Sequence, residues 1–196
     1  MTGVSAPPFV LALGDSLTAG YGLSPTAAFP VQLQQRLRLR WPGAIVHNAG
    51  VSGDTTQGGL RRLPRLLAGL PRRPDLAIVE LGANDLIRGV PPAQTRANLD
   101  AILLELGRCG IKVLLATFAP PPFLAGRADR YAAIYAELAA RHGVASAPFF
   151  PAGVLGHPEL VLPDRLHPNA RAIALVADAL APTVASALER HRATAA

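Results

Sequence analysis

The sequence predicts a three-layer α/β domain: a five-stranded parallel sheet with helices on both faces. Three observations carry this. Short apolar runs alternate with longer segments of helical periodicity along the chain. Runs such as LAIVEL and KVLLATF are continuously apolar, which suits strands buried on both faces. No linker, repeat or low-complexity stretch interrupts the 196 residues. All of 1–196 therefore reads as one domain, with 1–7 and 192–196 expected to be flexible ends.

The elements follow in order. Strands are predicted at Phe9–Leu13, Ala44–His47, Leu76–Leu81 and Lys112–Thr117, with a weaker fifth at Val144–Ala147. Between them, Ala28–Leu39 and Gly58–Leu70 carry apolar residues at helical spacing. Thr95–Leu106 does so most clearly, with Leu99, Ile102, Leu103 and Leu106 on one face. The segment ADRYAAIYAELAARHG ends on Gly143, a helix stop, and PNARAIALVADALAPTVASALERH closes the chain.

In such sheets, sites form outside the carboxyl ends of the strands. The first predicted strand is followed by Gly14-Asp15-Ser16, the second by HNAGVSGDTT and the third by LGANDL. The fourth is followed by the proline-rich FAPPPFLAGR. Small polar residues and glycines collect on one edge of the sheet, which helix capping alone does not explain.

Composition narrows the function. Half of the residues are hydrophobic and 16% are charged, as in a globular domain. The net charge is +6, but 18 of the 19 basic residues are arginines scattered through amphipathic segments. Without interleaved aromatics or a glycine-rich basic loop they read as a solvated surface, and no nucleic-acid partner is expected. No apolar run reaches the length of a membrane span, so stable membrane anchoring is not expected. Phe9–Leu13 is too short for the core of a secretory leader, so the chain as it stands reads as cytoplasmic. A periplasmic or secreted location follows if a leader has been removed. The single Cys109 excludes an internal disulfide, and neither H-E-x-x-H nor a Cys/His cluster offers a metal site. Neither G-x-G-x-x-G nor the phosphate-binding G-x-x-x-x-G-K-[ST] occurs, which counts against a nucleotide-binding domain.

Ser16, taken alone, reads as a helix cap more readily than as a nucleophile held at a strand end. A serine nucleophile needs a base, and the base needs a third group to fix its tautomer. Among five histidines, His142 and His191 read as solvated helix-end residues, His157 has no carboxylate a turn before it, and His47 packs at the end of a strand. His167 differs. In PDRLHPN, Asp164 stands three residues earlier and Pro168 prevents a helix from running on. One turn of chain can carry Asp164 to Nδ1 of His167 and leave Nε2 for a hydroxyl, but the pair taken alone reads more readily as a surface loop in which Asp164 caps a turn and His167 is solvated. Acyl transfer also needs donors aimed at an oxyanion, for which Gly50 offers a backbone N–H and Asn84 a side-chain amide.

Together, Gly-Asp-Ser-Leu at 14–17, Gly50, Gly82-x-Asn84-Asp85 and Asp164-x-x-His167 resemble the SGNH (GDSL) hydrolase superfamily. NAGVSGDTTQGGLRRLP, VELGANDLIRG and DRLHPN are most similar to its bacterial thioesterase I, lysophospholipase and arylesterase group. The resemblance runs from about Val10 to the final helix. It implies a flavodoxin-like sheet, Ser16 as nucleophile, His167 as base and Asp164 as its orienter. The implied oxyanion donors are the Ser16 and Gly50 amides and the Asn84 side chain. Enzymes of this group are commonly exported.

The expected function is that of a cofactor-free, metal-independent serine esterase or thioesterase. Its partner is a small-molecule ester or thioester; the oligomeric state is left open. Leu86, Ile87, Phe123 and Leu124, in the loops after the third and fourth strands, are expected to wall the acyl pocket. Their apolar character favours a fatty acyl or aryl group. The alternatives are a carbohydrate O-deacetylase on the same fold and a non-catalytic binding module.

Overall fold

The structure, a computed structural model, describes residues 6–117 and 125–193. Five strands form one parallel sheet: β1 Phe9–Gly14, β2 Ile45–Gly50, β3 Leu76–Glu80, β4 Lys112–Thr117 and β5 Ala145–Pro148. Their order is β2-β1-β3-β4-β5. The chain leaves β1 for one edge and then crosses back to build the other, so the switch point lies between β1 and β3. The register aligns the strand ends: Gly14 pairs with Gly50 on one side and Glu80 on the other. Residues following these three strands thus emerge at one level.

The apolar runs supply both faces of the sheet, because successive side chains point to opposite sides. Val10, Ala12, Leu76, Ile78, Leu114 and Ala116 pack towards helices α2 (Phe29–Arg38) and α7 (Ala170–Ala193). Leu11, Leu13, Ala77, Val79, Val113 and Leu115 pack on the other face, towards α3 (Thr56–Ala68), α5 (Pro92–Arg108) and α6 (Ala125–His142). Leu99, Ile102 and Leu106, the predicted stripe of α5, are fully buried, each worth about 1.5–3 kcal/mol relative to exposure. Two short helices, α1 (Ser16–Ala19) and α4 (Ala83–Ile87), stand at the ends of β1 and β3.

The predicted elements are present with shifted ends. Helix α5 begins three residues before the predicted Thr95, since Pro92 is preorganised for a first turn. Gly143, at φ 61°, ends α6 as its sequence requires. By length and composition Ala170–Arg190 is apolar enough to cross a membrane, although no uninterrupted run announces it. Its stripe of Ile173, Val176, Ala177, Leu180, Val184 and Leu188 is buried against the sheet. Cys109 follows α5 at the amino edge of β4, away from the Ser16 edge. His47 and Phe9 make a T-shaped ring contact, with centroids 6.3 Å apart. His142 departs from the expectation of a solvated residue: its Nε2 lies 2.7 Å from Asp100 Oδ1, with 12% of its side chain exposed. Packing of α6 on α5 brings Asp100 to it, a pairing that no local spacing encodes.

Candidate active site

The capping role falls to Asp15 and not to Ser16. Asp15 is the cap of α1: its Oδ1 accepts the Leu17 N–H at 3.0 Å. Ser16 is freed from capping, and its Oγ lies 3.0 Å from His167 Nε2. Helix α1 is short because Gly20, at φ 85°, reverses the chain after one turn. Gly14 allows the tight entry; a Cβ there would lie 2.0 Å from Thr18 Oγ1. Ser16 N–H stands in the first turn of α1, where helix amides lack an intrahelical acceptor.

His167 is held by a turn before α7. Val161 and Pro168 form an antiparallel bridge, and Leu162 N–H donates to His167 O at 2.7 Å. Within the turn, Asp164 Oδ1 accepts the N–H groups of Leu166 and His167, both at 3.0 Å. Its Oδ2 lies 2.6 Å from His167 Nδ1. These contacts, the Leu166 N–H first, hold the Asp164 carboxyl down to about 2. Closing so tight a turn places Arg165 in the left-handed region, φ 58°. With Nδ1 facing an ionised carboxylate, the Nδ1–H tautomer is favoured and Nε2 can accept from Ser16.

Beyond β3, the Asn84-Asp85 pair splits. Asp85 is fully buried and accepts from Thr56 N–H at 2.9 Å, Thr56 Oγ1 at 2.5 Å and Thr95 Oγ1 at 3.2 Å. It ties the starts of α3 and α5 to α4. Asn84 faces the site, its Nδ2 donating to Asp15 Oδ2 at 2.9 Å. Gly50 stands at the same edge, where a Cβ would lie 2.2 Å from Ala19 N, so only glycine allows α1 this close. Its N–H donates to Asn48 Oδ1 at 2.9 Å, so it is free for another acceptor only when Asn48 releases it.

A cavity of about 420 Å³ opens over Ser16, Asn84 and His167. Leu86 and Ile87 line it as expected, Leu86 buried and Ile87 half exposed. Phe123 and Leu124 lie outside the described residues. Leu17, Tyr21, Phe150, Leu155 and Leu166 complete the apolar wall, none of them expected there from the sequence. Phe150 and Leu155 follow β5, so the rule that sites form at strand ends would have found that loop. Among the described residues no group of three or more His, Cys, Asp or Glu is placed to hold a metal ion.

A doubly wound sheet whose switch point carries a hydrogen-bonded Ser–His–Asp line beside an amide donor defines a serine hydrolase. The chain belongs to the GDSL-like lipase/acylhydrolase family, whose model matches residues 12–175. It is 38% identical over 173 residues to an arylesterase of Vibrio mimicus, covering 88% of this chain and 86% of that protein. It is also 38% identical over 178 residues to thioesterase 1/protease 1/lysophospholipase L1 of Escherichia coli strain K12, covering 90% and 83%. Among solved structures, TesA superposes with a TM-score of 0.85 at 36% identity, covering 91% of this chain and 99% of that one. AlinE4, an SGNH-hydrolase family esterase, superposes with a TM-score of 0.77 at 43% identity over 94% and 98%. The chain is thus an enzyme, a serine hydrolase acting on ester bonds.

Proposed function

We propose that Ser16 is the nucleophile of an esterase and thioesterase, with His167 as general base and Asp164 as its orienter. The observation that carries this is the unbroken line from Asp164 Oδ2 through the His167 ring to Ser16 Oγ, with steps of 2.6 and 3.0 Å. His167 Nε2 takes the Ser16 proton as Oγ attacks the acyl carbon, and Asp164 stabilises the imidazolium that results. The Ser16 N–H, the Asn84 amide and, once Asn48 lets go, the Gly50 N–H receive the oxyanion. The imidazolium returns its proton to the leaving alcohol or thiol. Water activated by His167 then releases the acid from Ser16.

The apolar wall around Leu86, Ile87, Phe150 and Leu155 supports an aryl or fatty acyl group. The names of the relatives, arylesterase and thioesterase 1/lysophospholipase L1, agree with that class. A sugar acetate would leave much of this wall unused, so a carbohydrate deacetylase is the weaker reading. An organophosphonate is expected to add one covalent equivalent, placed on Ser16 by peptide mass spectrometry. Labelling elsewhere, or full activity in Ser16→Ala, would overturn the assignment.

A further inference from the structure

Two carboxyl groups lie buried beneath the site, and the mechanism above gives neither a task. Asp15 is 1% exposed and Glu80, at the end of β3, is 2% exposed. Asp15 uses its two oxygens differently: Oδ1 accepts from Leu17 N–H at 3.0 Å and Oδ2 from Asn84 Nδ2 at 2.9 Å. Glu80 Oε2 accepts from Thr18 Oγ1 at 2.9 Å and from the Asp15 N–H at 3.5 Å. Gly14 is the spacer between these layers, since a Cβ there would stand 2.7 Å from Glu80 Oε2.

An amide side chain has a donating end and an accepting end, whereas an ionised carboxylate only accepts. Anionic Asp15 can therefore bind only the Nδ2 end of Asn84, leaving the second Nδ2–H for the cavity. A protonated carboxyl can donate to Oδ1 instead, which would reverse the amide and set an acceptor against the developing oxyanion. We propose that Asp15 is a positioning residue: as an anion held by the Leu17 N–H, it fixes the Asn84 amide with its N–H end towards the oxyanion. This rests on the roles given above to Ser16 and Asn84.

The surroundings of Asp15 place its change of charge within a working pH range. Burial pushes its carboxyl up to about 6, against the pull of the Leu17 N–H, the Asn84 amide and His167; Asp54 adds to the rise. Arg62 of α3 pairs with Asp54 at 2.7 Å and donates to Gly14 O at 3.1 Å. Below lies Glu80, whose burial and nearness to Asp15 push it well above the usual carboxylate range. The buried Tyr135 phenol, donating to Leu81 O, closes the layer. Burial and mutual repulsion disfavour a second charge on this pair, while the Leu17 N–H and the Asn84 amide favour the ionised form of Asp15.

The test compares Asp15→Asn in the wild-type and Asn84→Ala backgrounds. Asp15→Asn is expected to lower kcat about 10²-fold with KM little changed, as when one oxyanion donor is lost. In the Asn84→Ala background it is expected to cost no more, because its effect has already been removed. Additive losses, or an unchanged kcat in the single variant, would overturn the proposal. The unaltered enzyme supplies a second reading that needs no folded variant. Its log kcat/KM against pH should pass through a region steeper than one in acid, about two decades deep, where protonation of Asp15 adds to that of the general base; a slope that nowhere exceeds one would also overturn it. Phosphonate labelling separates the layers of the argument. Label absent from Ser16 in both proteins removes the nucleophile and this proposal together, whereas label on Ser16 with additive losses removes the positioning role alone.

Discussion

The ring of Tyr21 lies against the imidazole of His167, their centroids 4.4 Å apart and their planes tilted by 38°. Tyr21 is half exposed, so it covers the imidazole on a side that would otherwise meet solvent. An imidazolium over an aromatic face gains about 0.5–1 kcal/mol at an exposed position. Tyr21→Ala should therefore lower kcat/KM about two- to fivefold, while Tyr21→Phe stays near wild type. Equal losses in both variants would assign the effect to the hydroxyl instead.

His167→Ala should abolish all but residual turnover, and kcat/KM should fall in acid because only an unprotonated Nε2 can accept the Ser16 proton. Activity should survive EDTA. A chelator-sensitive enzyme would contradict the triad reading.

Asn84→Ala should lower kcat by about 10²–10³, roughly 2.7–4 kcal/mol, with little change in KM, since a preorganised donor meets the oxyanion more strongly than the ground-state carbonyl. Steady-state kinetics on one aryl ester decide this. A change confined to KM would make Asn84 a substrate-binding residue.

If Leu86 and Ile87 wall the acyl pocket, kcat/KM should rise up to roughly fourfold for each added carbon until the pocket ends, from about 0.8 kcal/mol per buried methylene. Ile87→Asn should flatten that profile, with losses growing along a series of p-nitrophenyl esters from acetate to octanoate. Equal losses at all lengths would assign this loop to support of the catalytic groups.

The two aspartates with shifted ionisation pull stability in opposite directions. Asp15, raised from 3.8 to about 6, contributes stability that is complete below its unfolded value and lost as pH rises through about 6. The loss is on the order of 3 kcal/mol at most. Asp164, lowered to about 2, contributes stability above its unfolded value that is lost as pH falls through about 2. Denaturant unfolding should accordingly show Asp15→Asn gaining stability over wild type from pH 4 to 7 and the gain levelling off above it. A gain that does not vary with pH would show that the charge of Asp15 is not its source.

The strands, the main helices and the Ser16, Asp164 and His167 set were legible because each leaves a local trace: a continuous apolar run, a 3.6-residue period, a short polar block at a strand end. Residues whose role depends on neighbours distant in sequence left none. Tyr21, Phe150 and Leu155 enter the cavity wall only because the sheet order brings the ends of β1 and β5 to the same edge. Glu80 reads as one more residue of LAIVEL, and only the register Gly14↔Glu80 sets it under the Ser16 turn. His142 failed for the same reason, its partner Asp100 lying 42 residues away.

Ser16 and His167 are separated by 151 residues, and the turn carrying His167 is clasped outside the sheet by the Val161–Pro168 bridge. A ribosome therefore delivers Ser16 early and His167 late. On the function proposed above, the nascent chain holds Ser16 without its proton acceptor until the segment beyond β5 has emerged. Because such distant contacts form late for reasons of loop entropy, recovery of turnover after dilution from denaturant marks completion of the last long-range closure, not the appearance of the sheet.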